Sequence, residues 1–205
     1  MRRSRRAALP AALLAAAIAL AGCGGNGDSE KDGKGGEHAR PSRPEVLFHF
    51  QKFTAAPLLD GGEVTLRSLE GKVVLLDLFA TWCPPCRRSV PILAGLYRRF
   101  HENGLEMVGL AYDNSGDAAQ DRAAISGFRQ ELKIPYPLAL GPVVAWDELQ
   151  AKAHAEEVIP TVLLLDRQGV VREMFQGLEP GDEPLLAARI EKLLSEPVVP
   201  VPRAD

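Results

Sequence analysis

The chain has 205 residues, 46% of them hydrophobic and 25% charged, proportions that suit one globular domain with extra segments at its ends. Its net charge of −3 argues against nucleic acid as a partner and against a basic surface that would lie on a membrane.

The N-terminus carries four arginines before an apolar run from Ala7 to Ala21, followed by small residues. Fifteen such residues fall short of the roughly 20 a membrane-spanning helix needs, and the layout is that of a secretory signal. Ser4–Leu9, SRRAAL, partly resembles a twin-arginine export signal. Leu20-Ala21-Gly22-Cys23 resembles the lipobox of bacterial lipoproteins, which implies that Cys23 is lipidated and becomes the first mature residue. Loss of residues 1–22 removes four arginines and no acids, which moves the charge from −3 to −7. With Cys23 acylated, Cys83 and Cys86 are the two cysteines left, and any intramolecular disulfide is that pair. It would close a loop too short to staple much structure. Residues 24–44 contain no large apolar side chain and read as a flexible tether with a reach of roughly 25 Å. The organisation expected is therefore a signal segment at 1–22, a lipidated tether at 23–44, a domain at 45–196 and a proline-rich loose tail at 197–205.

Within the domain, VLFHFQKF at 46–53 predicts a first strand, and the glycines and turn residues of 60–72 surround a second, short one. Val73–Phe79, VVLLDLF, is apolar without alternation, as a strand buried on both faces is. A helix follows from about Pro84 to His101, and LEMVGLAY at 105–112 is another buried strand. Helical spacing recurs over 118–133 and 145–157, with a short extended piece, YPLAL, between them. TVLLLDRQGVVREMF at 161–175 predicts two strands about a turn, and PLLAARIEKLL a closing helix. Strands alternating with helices, then a hairpin and a helix, imply an α/β domain whose mixed sheet is covered on both faces.

The junction between the strand at 73–79 and its helix reads FATWCPPC. The thiolate is the reactive form of cysteine, and Cys83 falls at a helix N-terminus, where free backbone N–H groups and the helix dipole stabilise an anion. Pro84 and Pro85 occupy the first turn, where a missing N–H is tolerated. Cys86 lies three residues on along the same helix face, so its sulfur can reach Cys83, and one turn deeper it is the more buried thiol. Arg87 and Arg88 add positive potential. Such a pair supports exchange in which Cys83 attacks a disulfide and Cys86 then resolves the mixed disulfide.

The chain resembles the thioredoxin superfamily and, within it, the membrane-tethered TlpA/ResA-like thiol-disulfide oxidoreductases, over about residues 44–194. The resemblance rests on VVLLDLFATWCPPC, on Pro91 eight residues after Cys83, on Val158–Thr161 (VIPT) and on Gly177. It implies a thioredoxin-like fold with an N-terminal strand extension and a central insertion at 116–157. It also implies a cis-proline at Pro160, on a loop with Ile159 and Thr161 that faces the cysteines and binds the substrate backbone. Trp82 shapes the surface beside the cysteines. Asp77 interrupts an apolar run, where an acid is costly unless used, and it stands where thioredoxins keep a buried acid. Thioredoxins add a lysine on the next strand; EMVGLAYD offers none, and many TlpA/ResA relatives carry asparagine at position 77.

The resemblance implies reduction of extracytoplasmic protein disulfides, with cytochrome c maturation among the roles of such proteins, and a membrane-side thiol as electron donor. Pro85 before Cys86 matches reducing members, and oxidants often place histidine there. Gly24 after Cys23, rather than aspartate, is compatible with sorting to an outer membrane. No cofactor is implied, and a monomer is expected. A copper or zinc carrier using the two thiols is the rival reading. Carriers on this fold usually use CxxxC with a distant histidine, and the chain has no His-rich or Met-rich stretch; His38, His49, His101 and His154 are scattered. A peroxidase would want threonine at position 80, which is Ala80, and a docking module would not need both cysteines.

Overall fold

The computed structural model describes residues 48–49 and 55–197. The signal segment 1–22, Cys23, the tether to residue 44 and the tail beyond 197 lie outside the described residues. Among the described residues, no helix is long and apolar enough to cross a membrane.

A six-stranded mixed sheet organises the domain. In chain order its strands are β1 (Phe48–His49), β4 (Val73–Phe79), β5 (Leu105–Ala111), β6 (Leu138–Leu140), β7 (Thr161–Leu165) and β8 (Val170–Gln176). In space they run β1-β8-β7-β4-β5-β6, with β4, β5 and β6 parallel and the other pairs antiparallel. A small antiparallel pair, β2 (Ala56–Pro57) with β3 (Glu63–Val64), is tied to β6 by a bridge from Leu58 to Ala139. Among the described residues, four α-helices flank the sheet: α1 (Pro84–Phe100), α2 (Ala118–Leu132), α3 (Val144–Ala153) and α4 (Glu183–Ser195).

Both faces of the sheet are covered, which accounts for the unbroken apolar runs. Alternate residues of β4 point to opposite faces. Val73, Leu75 and Phe79 join a core with residues of α1, α2 and α4, whereas Val74, Leu76 and Leu78 join a second core with α3 and the β2–β3 pair. Every residue of β4 is buried, Asp77 included. By the same alternation Asp77 faces the α1 core.

The third helix is shorter than the sequence predicts. Ala155, Glu156 and Glu157 suit a helix, yet His154 adopts a left-handed conformation (φ 49°) and its N–H bonds back to the Gln150 carbonyl. The Ala155 N–H closes on the Leu149 carbonyl at 3.3 Å, and the Ala155 side chain is buried in the second core. Ending the helix there turns the chain back toward Ile159 and Pro160, and a residue preceding proline is itself disfavoured in a helix.

Candidate active site

The cysteines sit where β4 hands over to α1. Cys83 is the N-cap residue of α1, with extended backbone (φ −87°, ψ 109°), and its sulfur accepts the backbone N–H of Cys86 at 3.1 Å. A cysteine thus takes the place usually held by Ser, Thr, Asp or Asn. The bond is directed at the atom that would carry negative charge after reduction. Pro84 and Pro85 form the first helical turn and forfeit no hydrogen bond there. Cys83 and Cys86 are joined in a disulfide. Cys86 is fully covered and Cys83 is 3% exposed, so both sulfurs lie almost flush with the core.

The arginines after the pair each face an acidic side chain. Arg87 makes an ion pair with Glu131 of α2 and lies 5.4 Å from the centre of the Phe128 ring. Arg88 is 3.8 Å from Glu179. Each guanidinium stands beside a carboxylate.

Facing the disulfide is the loop before β7. The Ile159–Pro160 peptide bond is cis, and the Ile159 carbonyl lies 3.7 Å from Cys83 Sγ. A disulfide sulfur has no proton to donate, so this is a contact; a reduced Cys83 thiol could donate to that carbonyl. The loop is held from several sides. The Thr161 hydroxyl donates to the Val158 carbonyl at 2.5 Å, Gln176 Nε2 to the Glu156 carbonyl at 2.6 Å, and the Gly177 N–H to the Pro160 carbonyl at 2.8 Å. Gly177 has φ 71°, a conformation that side chains disfavour, which explains a glycine at that position. Thr161 is fully buried and Trp82 is 66% exposed.

Two partners of this site were not foreseen from the sequence. The first is Asp113, which accepts hydrogen bonds from both the N–H and the hydroxyl of Thr81 and so ties the WCPPC loop to the end of β5. The tie follows from strand register: Phe79 pairs with Ala111 in parallel, and two residues further on Thr81 meets Asp113. The second is Tyr136. Its hydroxyl donates to Asp77 Oδ2 at 3.3 Å, and both side chains are buried; Asp77 Oδ1 accepts no hydrogen bond from the described residues. Burial pushes the Asp77 carboxyl up to about 7, against a smaller downward pull from the Tyr136 hydrogen bond. The Tyr136 phenol is pushed well above its ordinary value, by burial first and by the neighbouring carboxylate second.

Gly109 leaves room for this packing. It lies opposite Asp77 on β5. A Cβ there would stand 2.5 Å from Leu138 Cδ2, 3.0 Å from Phe79 Cε1 and 3.3 Å from Tyr136 Cε2. The ring of Tyr136 therefore passes over a strand position that has no side chain, on the strand where thioredoxins carry their lysine. Gly109→Ala should destabilise the domain by about 1–3 kcal/mol through overpacking, read as a lower urea midpoint at unchanged slope. An unchanged midpoint would mean that Leu138 and Tyr136 yield without loss of packing.

The comparisons with known proteins agree with this architecture. A family model described as Redoxin matches residues 48–190. The chain is 28% identical over 122 residues to the thiol-disulfide oxidoreductase ResA of Bacillus thuringiensis subsp. konkukian (strain 97-27). That match covers 58% of this chain and 63% of the relative, less than two thirds of its length. Among solved structures, a thiol-disulfide isomerase from Corynebacterium glutamicum superposes with a TM-score of 0.58 at 23% identity, covering 72% of this chain and 97% of that one. A thioredoxin family protein from Chlorobium tepidum TLS, a thiol:disulfide interchange protein, gives 0.57 at 22%, with 77% and 99% covered. At these identities the two structures speak for the fold alone. Since the family model spans more than half of its length, the chain belongs to the Redoxin family and has a thioredoxin-like α/β fold.

Proposed function

We propose that this protein is an exported, lipid-anchored thiol-disulfide oxidoreductase that reduces disulfides in extracytoplasmic client proteins. The observation that carries the reading is the Cys83–Cys86 disulfide at the N-terminus of α1, with Cys83 Sγ capped by the Cys86 N–H and set against the carbonyl of Ile159. In this reading the thiolate of reduced Cys83 attacks one sulfur of a client disulfide. A bond forms between Cys83 and the client, and the second client sulfur leaves as a thiolate that takes up a proton. The Cys86 thiol then loses its proton to the Asp77 carboxylate and attacks Cys83 Sγ. This restores the Cys83–Cys86 disulfide and releases the remaining client sulfur as a thiol. Two electrons pass from the cysteine pair to the client; of the two protons the client gains, one comes from solvent and the other from Cys86, returned by Asp77 to the sulfur released last. A dithiol donor on the membrane side returns the pair to its reduced form.

Trp82, Ile159 and cis-Pro160 receive the client chain, the buried Thr161 holds their loop through its bond to Val158, and Pro84 and Pro85 hold the helix start. The organisation into a signal at 1–22, a tether at 23–44 anchored through Cys23, a domain at 45–196 and a tail at 197–205 is part of the same proposal. So are a periplasmic-side location, a monomeric state and clients that include apocytochromes c.

The test uses the full chain, reduced and freed of dithiothreitol, mixed with insulin. The expected result is one pair of insulin thiols released for each Cys83–Cys86 disulfide formed. Stoichiometric Cu(I) binding without thiol release would replace this reading with that of a metal carrier.

A further inference from the structure

An open groove of about 270 Å³ lies beside the disulfide, and the exchange chemistry leaves it unassigned. Its floor is aromatic: Tyr112 and Trp146 are 6% and 4% exposed, with ring centroids 5.7 Å apart. Trp82 forms a wall, and Ile159 closes the end nearest Cys83. Two carboxylates line the groove, Asp113 and Glu157, and among the described residues that line it none is basic. Asp113 is fixed in place by its two hydrogen bonds from Thr81. Glu157 bears on the Tyr112 ring closely enough to add to the upward push that burial exerts on the phenol.

Resting on the proposed oxidoreductase reading, we infer that this groove selects clients with a lysine or arginine one or two residues from the attacked cysteine. Size is the first reason. At about 270 Å³ the groove admits a long side chain in full. Reach is the second. Ile159 both borders the groove and touches Cys83 Sγ, and an extended chain advances about 3.3 Å per residue. A client cysteine at Cys83 therefore delivers a near neighbour into the groove. Chemistry is the third. Lysine and arginine lay an apolar stem along aromatic surface while the cationic head seeks negative charge, and this groove offers aromatic side chains together with two carboxylates. A glutamate in the same place would meet like charges. The net charge of −3 on the whole chain also draws cationic clients toward it.

The test compares peptides that carry one intramolecular disulfide and differ at a single position within two residues of a cysteine: lysine, norleucine or glutamate. The reduced full chain is the reductant. Each rate is divided by that of dithiothreitol on the same peptide, which cancels the direct effect of a nearby charge on the disulfide. The lysine peptide should react about tenfold faster than the norleucine one at low salt, and the glutamate peptide slowest. That advantage should collapse toward one in 1 M salt. Glu157→Gln, at an exposed position where folding is not at stake, should reduce the lysine-to-norleucine ratio to about threefold. Equal normalised rates for all three peptides at every position would overturn the groove assignment and leave the oxidoreductase reading standing. Failure to reduce any peptide that dithiothreitol reduces would overturn that reading, and the groove assignment with it.

Discussion

Cys86→Ser should turn the protein into a trap that accumulates mixed disulfides with its clients, while Cys83→Ser should trap none. The asymmetry follows from position. Cys83 caps α1 at the surface end of the site, against the Ile159 carbonyl, and its sulfur receives the Cys86 N–H. Cys86 is fully covered and, without Cys83, has no path to an external disulfide. Resolution by Cys86 is intramolecular, and well-oriented intramolecular reactions have effective molarities on the order of 10⁵–10⁸ M. Millimolar external thiols cannot match that, so turnover of Cys86→Ser should fall by at least about a thousandfold. Non-reducing gels of cells expressing each variant, followed by mass spectrometry of the trapped species, would read both effects and name the clients. Trapping to the same extent by both variants would sink the assignment of attacking and resolving roles.

The second large effect belongs to Asp77. Its carboxyl titrates near 7 in the folded protein, against 3.8 as its ordinary value. A raised folded value means that the charged form is disfavoured by folding. The resulting loss of stability is absent below about pH 4, grows as pH rises toward 7 and is complete above it. A gap of that size corresponds to roughly 4 kcal/mol. The wild-type protein should therefore lose stability between pH 4 and pH 8 relative to Asp77→Asn, by up to that amount. Urea melts of the oxidised proteins at several pH values would measure the difference. In the proposed exchange this group takes the proton from Cys86, a step to which a base that titrates near neutrality is well matched. Asp77→Asn should leave formation of the mixed disulfide at Cys83 almost unchanged and slow its resolution by about 10- to 100-fold at pH 7, with recovery as pH rises. Tyr136→Phe should move the pH midpoint of resolution upward, since the hydroxyl that pulls the Asp77 carboxyl down is gone. Stopped-flow separation of the two steps decides the matter. If resolution rates and pH-dependent stability were both unaltered in Asp77→Asn, Asp77 would be a packing residue only.

The amino-acid sequence by itself determined the parts of this protein that short stretches encode. The apolar run of β4, the two prolines opening α1 and the spacing of Cys83 and Cys86 are local signals. A buried strand, a helix start and a thiol pair on one helix face follow from them without reference to the rest of the chain. The alternation of strands and helices was legible for the same reason, because periods of 2 and 3.6 residues are properties of single segments.

Tertiary structure alone decided how those segments tune one another. Tyr136 reaches Asp77 across 59 residues of sequence, packed close over the bare backbone of Gly109 on the intervening strand. Asp113 meets Thr81 through the parallel register of β4 and β5, across 32 residues. The stop of α3 at Ala153, against the helical preference of the residues that follow, comes from burial of Ala155 and the return of the chain to Pro160. The groove beside Cys83 is assembled from the WCPPC loop, the end of β5, α3 and the loop before β7. Each of these depends on which strands lie side by side and in what register, and that is set by the collective burial of two cores on either face of one sheet.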